Sequence, residues 1–182
     1  MTTANHSRLV ELIKELAVVH GRVTLSSGLE ADYYVDLRRA TLHHEAAPLI
    51  GQVMLDMLDA AGITDFEAVG GLTMGADPVG TAIMHQAAAR GRKVDAFVVR
   101  KQAKEHGMGR QVEGPDVRGR KVVVVEDTST TGGSVLTAVE ALIEAGAIVV
   151  GVAVIVERGA KQAILDAGYK YYAAYSPEDL GL

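Results

Sequence analysis

The chain has 182 residues, with 18 Lys and Arg against 23 Asp and Glu, for a formal charge of −5. A composition of 48% hydrophobic and 23% charged residues excludes a disordered chain. The lack of cysteine excludes a disulfide scaffold, a thiolate nucleophile and a thiolate-held zinc or iron–sulfur site. The first residues lack the apolar core of a signal peptide, and the apolar runs are too short to span a bilayer. A cytoplasmic protein with no membrane partner is therefore expected. Net acidity argues against a nucleic-acid partner, so any anionic ligand has to be met by a local basic patch.

Taken along the chain, Leu9, Leu12, Ile13 and Leu16 share one face of a helix near residues 5–19. Arg22-Val23-Thr24-Leu25 and Tyr33-Tyr34-Val35-Asp36-Leu37 then flank Ser26-Ser27-Gly28 as a hairpin-like pair. Helix and hairpin together form a small N-terminal hood over residues 1–40. A helix around 52–58 stops at Gly62, a second over 77–90 stops at Gly91, and a third over 134–145 stops at Gly146. Strands are expected at 67–70 and 94–99, at the four valines 122–125, and along 147–155. The last two are unbroken apolar runs, the pattern of strands buried on both faces. Residues 100–119 are long, polar and unperiodic, with Gly107, Gly109, Gly114 and Pro115, and such loops in compact domains are mostly functional or disordered. Alternating strands and helices with short connections predict one α/β domain over 1–182, a parallel sheet with helices on both faces.

The segment that carries chemistry follows the valine run: Glu126-Asp127-Thr128-Ser129-Thr130-Thr131-Gly132-Gly133-Ser134. Its carboxylates fall at the C-terminal edge of a strand, where open α/β sheets bind ligands. The small, hydroxylated residues after them precede a helix, so backbone N–H groups and hydroxyls can converge on a phosphate. Carboxylates beside an anion site make sense when the ligand is a phosphorylated sugar, whose hydroxyls they accept. The alternative is a plain helix cap with two solvated acids. The segment is neither a Walker A loop nor a dinucleotide fingerprint.

This segment resembles the phosphoribosyl-diphosphate signature of the type I phosphoribosyltransferases, and further segments are similar to the orotate phosphoribosyltransferase family. They are the basic loop Arg100-Lys101-Gln102-Ala103-Lys104-Glu105-His106-Gly107, the N-terminal Ser27-Gly28 with Tyr33-Tyr34-Val35-Asp36, the turn Gly70-Gly71-Leu72-Thr73-Met74-Gly75-Ala76-Asp77, and Glu157-Arg158-Gly159. The resemblance implies transfer of a phosphoribosyl group from 5-phosphoribosyl 1-diphosphate to orotate, in making UMP, with Mg²⁺ held mainly through substrate diphosphate and waters. It also implies site roles. Arg100, Lys101, Lys104, His106 and Asp127 act in catalysis. The activated sugar is bound by these, by Glu126, Thr128, Ser129, Thr130, Thr131, Gly132, Gly133 and Ser134, and by Thr73 and Met74 of the turn. Orotate meets Thr130, Arg158 and Tyr34. Finally it implies a homodimer in which Lys101 reaches into the neighbour's site, and a non-proline cis peptide near Leu72–Thr73.

The basic loop is also intelligible without a family. Arg100, Lys101 and Lys104 concentrate positive charge in an acidic chain, and a departing diphosphate gains negative charge in the transition state, which such cations stabilise selectively. Two departures lower the charge of the expected pocket. Ser26 and Met74 stand where many relatives carry Lys. The competing readings are a purine or other nucleobase phosphoribosyltransferase, a non-catalytic regulator that senses the activated sugar, and a flavodoxin-type nucleotide or redox module.

Overall fold

A computed structural model describes residues 3–24, 30–102 and 110–182. Helix α1 (Thr3–Ala17) buries Leu9, Leu12 and Ile13 of the expected stripe, together with Ala17, while Leu16 of the stripe is partly buried. The chain passes directly into β1 (Val18–Thr24) and returns as β2 (Glu30–Val35), antiparallel, with His20 opposite Tyr33 and Val19 opposite Tyr34. The Asp36 N–H donates to the Ala17 carbonyl at 2.9 Å and ties the base of this hairpin to the end of α1. Ser26, Ser27 and Gly28 lie outside the described residues.

Next come α2 (Arg38–Thr41), α3 (Ala46–Ala60), β3 (Ala68–Leu72), α4 (Ala76–Ala89), β4 (Asp95–Val99) and β5 (Val112–Glu113). The chain continues through β6 (Lys121–Ser129), α5 (Gly133–Glu144), β7 (Ile148–Glu157), α6 (Lys161–Asp166) and β8 (Tyr171–Tyr175). Gly62, Gly91 and Gly146 follow α3, α4 and α5 with φ of 75°, 73° and 83°, the left-handed stop read from the sequence. The long polar segment is not all loop: β5 pairs antiparallel with β4.

The sheet order is β5-β4-β3-β6-β7-β8, parallel except for β5. Along β6 the valines alternate between two cores. Val123 and Val125 join α1, α3 and α4 on one face, whereas Val122 and Val124 join α5 on the other. That is why the run shows no polar alternation. After β3 the chain moves outward to β4 through α4, and after β6 it moves the opposite way to β7 through α5. The strand order therefore reverses between β3 and β6, and a crevice opens there at the C-terminal edge.

Candidate active site at the strand-order reversal

Strand β6 pairs with β3 only as far as Gly70 opposite Val124, but stays paired with β7 as far as Ser129 opposite Glu157. Glu126 and Asp127 thus ride on a strand that has lost its β3 neighbour, facing the turn in which β3 ends. A cavity of about 340 Å³ fills the gap, lined by Glu126, Asp127, Thr128 and Ser134 on one side and by Thr73, Met74 and Gly75 on the other. The hood closes it with Tyr34, Asp36 and Arg38.

The approach of turn and carboxylates is close. A Cβ at Gly75 would lie 2.2 Å from Glu126 Oε1 and 2.9 Å from Asp127 Oδ1, so any larger residue would displace the carboxylates. The cis peptide is Thr73–Met74, one residue beyond the expected position. Thr73 Oγ1 donates to Asp77 Oδ2 at 2.7 Å in the first turn of α4, and its N–H donates to the Val99 carbonyl at 2.8 Å.

Glu126 is only 6% exposed. Burial, and next the charge of Asp127, push its carboxyl up to about 8. Burial also raises Asp127, against the Thr128 N–H, which donates to its Oδ1 at 2.6 Å, and against the charge of Arg38. The Asp127 N–H donates back to Glu126 Oε1 at 3.1 Å. The raised values make both groups readily protonated, able to exchange hydrogen bonds with the hydroxyls of a sugar.

Beyond the carboxylates the expected phosphate loop divides. Thr130, Thr131, Gly133 and Ser134 are exposed at the start of α5, with Gly132 as its N-cap at φ 82°. Thr128 and Ser129 also belong to strand β6, and Thr128 lines the cavity. The Thr128 hydroxyl donates to the Val156 carbonyl at 3.2 Å, and Ser129 is buried.

Tyr34 is 37% exposed and faces the cavity, while Tyr33 packs on the core, as alternation along β2 requires. Arg158 follows β7 at the same edge. Its neighbour Gly159 packs against Thr130, where a Cβ would come within 3.1 Å of the Thr130 carbonyl. Glu157 fixes this turn by accepting from the Gly159 N–H at 2.6 Å and from the Tyr171 hydroxyl.

The basic loop departs from expectation. Lys101, expected from the resemblance to reach into a neighbour's site, lines the cavity of its own chain. Strand β4 is the neighbour of β3, so a residue just past its end overhangs the β3 turn. Arg100 instead turns toward β5, its Nη1 3.7 Å from Glu113 Oε1. Lys104 and His106 lie outside the described residues. Sequence reading missed Arg38, whose only trace there is an Arg-Arg pair after the hairpin.

A phosphoribosyl transferase domain model matches residues 49–176. The chain is 66% identical to the orotate phosphoribosyltransferase of Streptomyces coelicolor, over 96% of both chains. It belongs to the phosphoribosyltransferase family, among the orotate phosphoribosyltransferases. A Mycobacterium tuberculosis orotate phosphoribosyltransferase is 58% identical over 100% of this chain and 99% of the other. A crystal structure of the Mycobacterium tuberculosis enzyme in complex with 5-phospho-alpha-D-ribosyl 1-diphosphate superimposes with a TM-score of 0.83, at 52% identity, covering 98% and 99% of the two chains. In this phosphoribosyltransferase Glu126 and Asp127 fall within the stretch that the family model matches. No helix among the described residues is long and apolar enough to cross a membrane.

Proposed function

We propose that this cavity joins orotate to 5-phosphoribosyl 1-diphosphate, giving orotidine 5′-phosphate and diphosphate in the cytoplasmic synthesis of UMP. The observation that carries this reading is the carboxylate pair held against Gly75 of the turn after β3, at the strand-order reversal and next to the exposed start of α5. Amides and hydroxyls at 130–134 bind the 5′-phosphate. Glu126 and Asp127 accept from the ribose hydroxyls and offset the positive charge that develops on the sugar. The bond from C1 to diphosphate breaks with its electron pair leaving on oxygen, while orotate N1 supplies the pair for the new bond and gives up its proton to the departing diphosphate. Lys101, at the cavity, and Arg100, Lys104 and His106, from the loop, stabilise the leaving group. Arg158 meets the orotate carboxylate near Thr130, and Tyr34 lies against the pyrimidine ring.

The carboxylate oxygens of Glu126 and Asp127 that line the cavity are hard donors of the kind Mg²⁺ takes. Asp127 and Glu126 would hold the ion together with substrate phosphates and waters, and when bound it neutralises charge on the diphosphate.

A homodimer completes the proposal. Beside the site, residues 38–48 and α4 enclose an apolar groove of about 620 Å³. Leu42 and Met74 on it are 71% and 65% exposed, and Thr41 Oγ1 is buried without a partner among the described residues. A second copy seated there would cover these groups. With Lys101 at its own cavity, Arg100, Lys104 and His106 are the loop residues that would serve the partner's.

Loss of orotate absorbance with 5-phosphoribosyl 1-diphosphate and Mg²⁺ tests the reading. Orotate is consumed, whereas adenine, hypoxanthine and uracil are not. Arg100→Ala loses on the order of 10²–10³ in turnover. Turnover of a purine in place of orotate would overturn the assignment.

A further inference from the structure

We infer that Arg38 binds the diphosphate of the activated sugar, supplying from the end of the hood the positive charge that the β3 turn lacks. This rests on the cavity being the phosphoribosyl-diphosphate site. Arg38 opens α2 directly after the hairpin, and it lines both the polar cavity and the apolar groove, as Met74 does. The two residues therefore share one rim. Met74 stands in the turn after β3, and its thioether offers no charge to a phosphate. A guanidinium at the same rim places a cation there from elsewhere in the chain.

The electrostatics call for it. Among the described residues lining the cavity, Arg38 and Lys101 are the cations, beside the acidic side chains of Asp36, Glu126 and Asp127. A ligand with several negative charges enters such a site only if each cation is used. The charge of Arg38 already reaches Asp127, whose carboxyl it holds down against burial. Its posture also suits a phosphate. Nε donates to Asp36 Oδ1 at 2.9 Å, and the Arg38 N–H donates to the same oxygen at 3.3 Å. Asp36 thus fixes the stem while engaging one edge of the guanidinium. The terminal nitrogens have no hydrogen bond to any described residue, which leaves the fork for two parallel bonds to phosphate oxygens. As a mere surface ion pair with Asp36, the residue would contribute little to stability.

The test measures inorganic diphosphate binding by calorimetry, and steady-state kinetics, on the full chain carrying Arg38→Ala, Arg38→Lys, or Arg38→Ala with Met74→Lys. Arg38→Ala weakens diphosphate binding and raises the KM for the activated sugar on the order of 10–100-fold, the loss expected for charge-assisted hydrogen bonds. The KM for orotate stays within about twofold, since a selective loss spares contacts that do not change. Arg38→Lys keeps part of the affinity, and adding Met74→Lys to Arg38→Ala restores most of it. Rescue by Lys at position 74 separates a charge role from a folding role. Unchanged diphosphate affinity in Arg38→Ala, a loss falling on orotate alone, or no rescue by Met74→Lys would overturn the inference. If wild type itself bound no diphosphate and consumed no orotate, the reading of the cavity would fail along with it.

Discussion

Replacing Glu126 by Gln removes a single titrating proton from the floor of the cavity. The carboxyl is 6% exposed, and its pKa rises from an ordinary 4.5 to about 8. Between those values the folded, ligand-free chain holds a proton that the unfolded chain has released, so stability falls as pH rises through this window. Each pH unit in the window removes about 1.4 kcal/mol, and the linkage integral between about pH 5.5 and about pH 8 comes to about 3 kcal/mol. For a chain of this length that is about 6–12 °C in Tm. Asp127 is raised in the same direction and leaves a residual slope in both proteins. Thermal unfolding of wild type and Glu126→Gln, ligand-free and at one ionic strength, measures the difference. The variant's Tm should be flatter by that amount and higher than wild type at about pH 8, while its turnover falls. Parallel curves for the two proteins would refute the claim that Glu126 is held protonated by burial.

Gly75→Ala forces a methyl against Glu126 Oε1, where the Cβ would stand 2.2 Å away, so it should cost about 1–3 kcal/mol in stability and at least about tenfold in kcat/KM. Its φ of −63° suits any residue, so thermal and kinetic losses report space rather than backbone freedom. Mixing Arg100→Ala with Asp127→Asn chains should restore part of the activity absent from either variant alone, since one site of the heterodimer then has both groups. No recovery in proven heterodimers would place Arg100 at its own site. Leu42→Asp puts a charge on the exposed apolar groove, and sedimentation should show dimer association weakened by at least about tenfold.

Much of the fold was legible because single features dictated it. Unbroken valines required a strand with both faces covered, and β6 supplies one to each core in turn. Glycines marked three helix ends, and the alternation of Tyr33 and Tyr34 assigned one ring to the core and one to the cavity. The carboxylates were legible as residues at a strand end. What escaped depends on which strand neighbours which. Nothing in the sequence says that β6 outruns β3, and this is what exposes Asp127 to the crevice while keeping the Thr128 hydroxyl and Ser129 in the sheet. The different directions of Lys101 and Arg100 follow from the two-residue strand β5, too short to leave a periodic signal. Arg38 was invisible because only the folded hood brings it to the β3 turn.

The most direct measurement is a crystal structure with the activated sugar bound. The ribose hydroxyls should lie within hydrogen-bond distance of Glu126 and Asp127, with the 5′-phosphate on the amides at the start of α5 and the diphosphate over the 73–75 turn. Density for the sugar in the apolar groove or on the far side of the sheet, with the carboxylate pair untouched, would contradict the account.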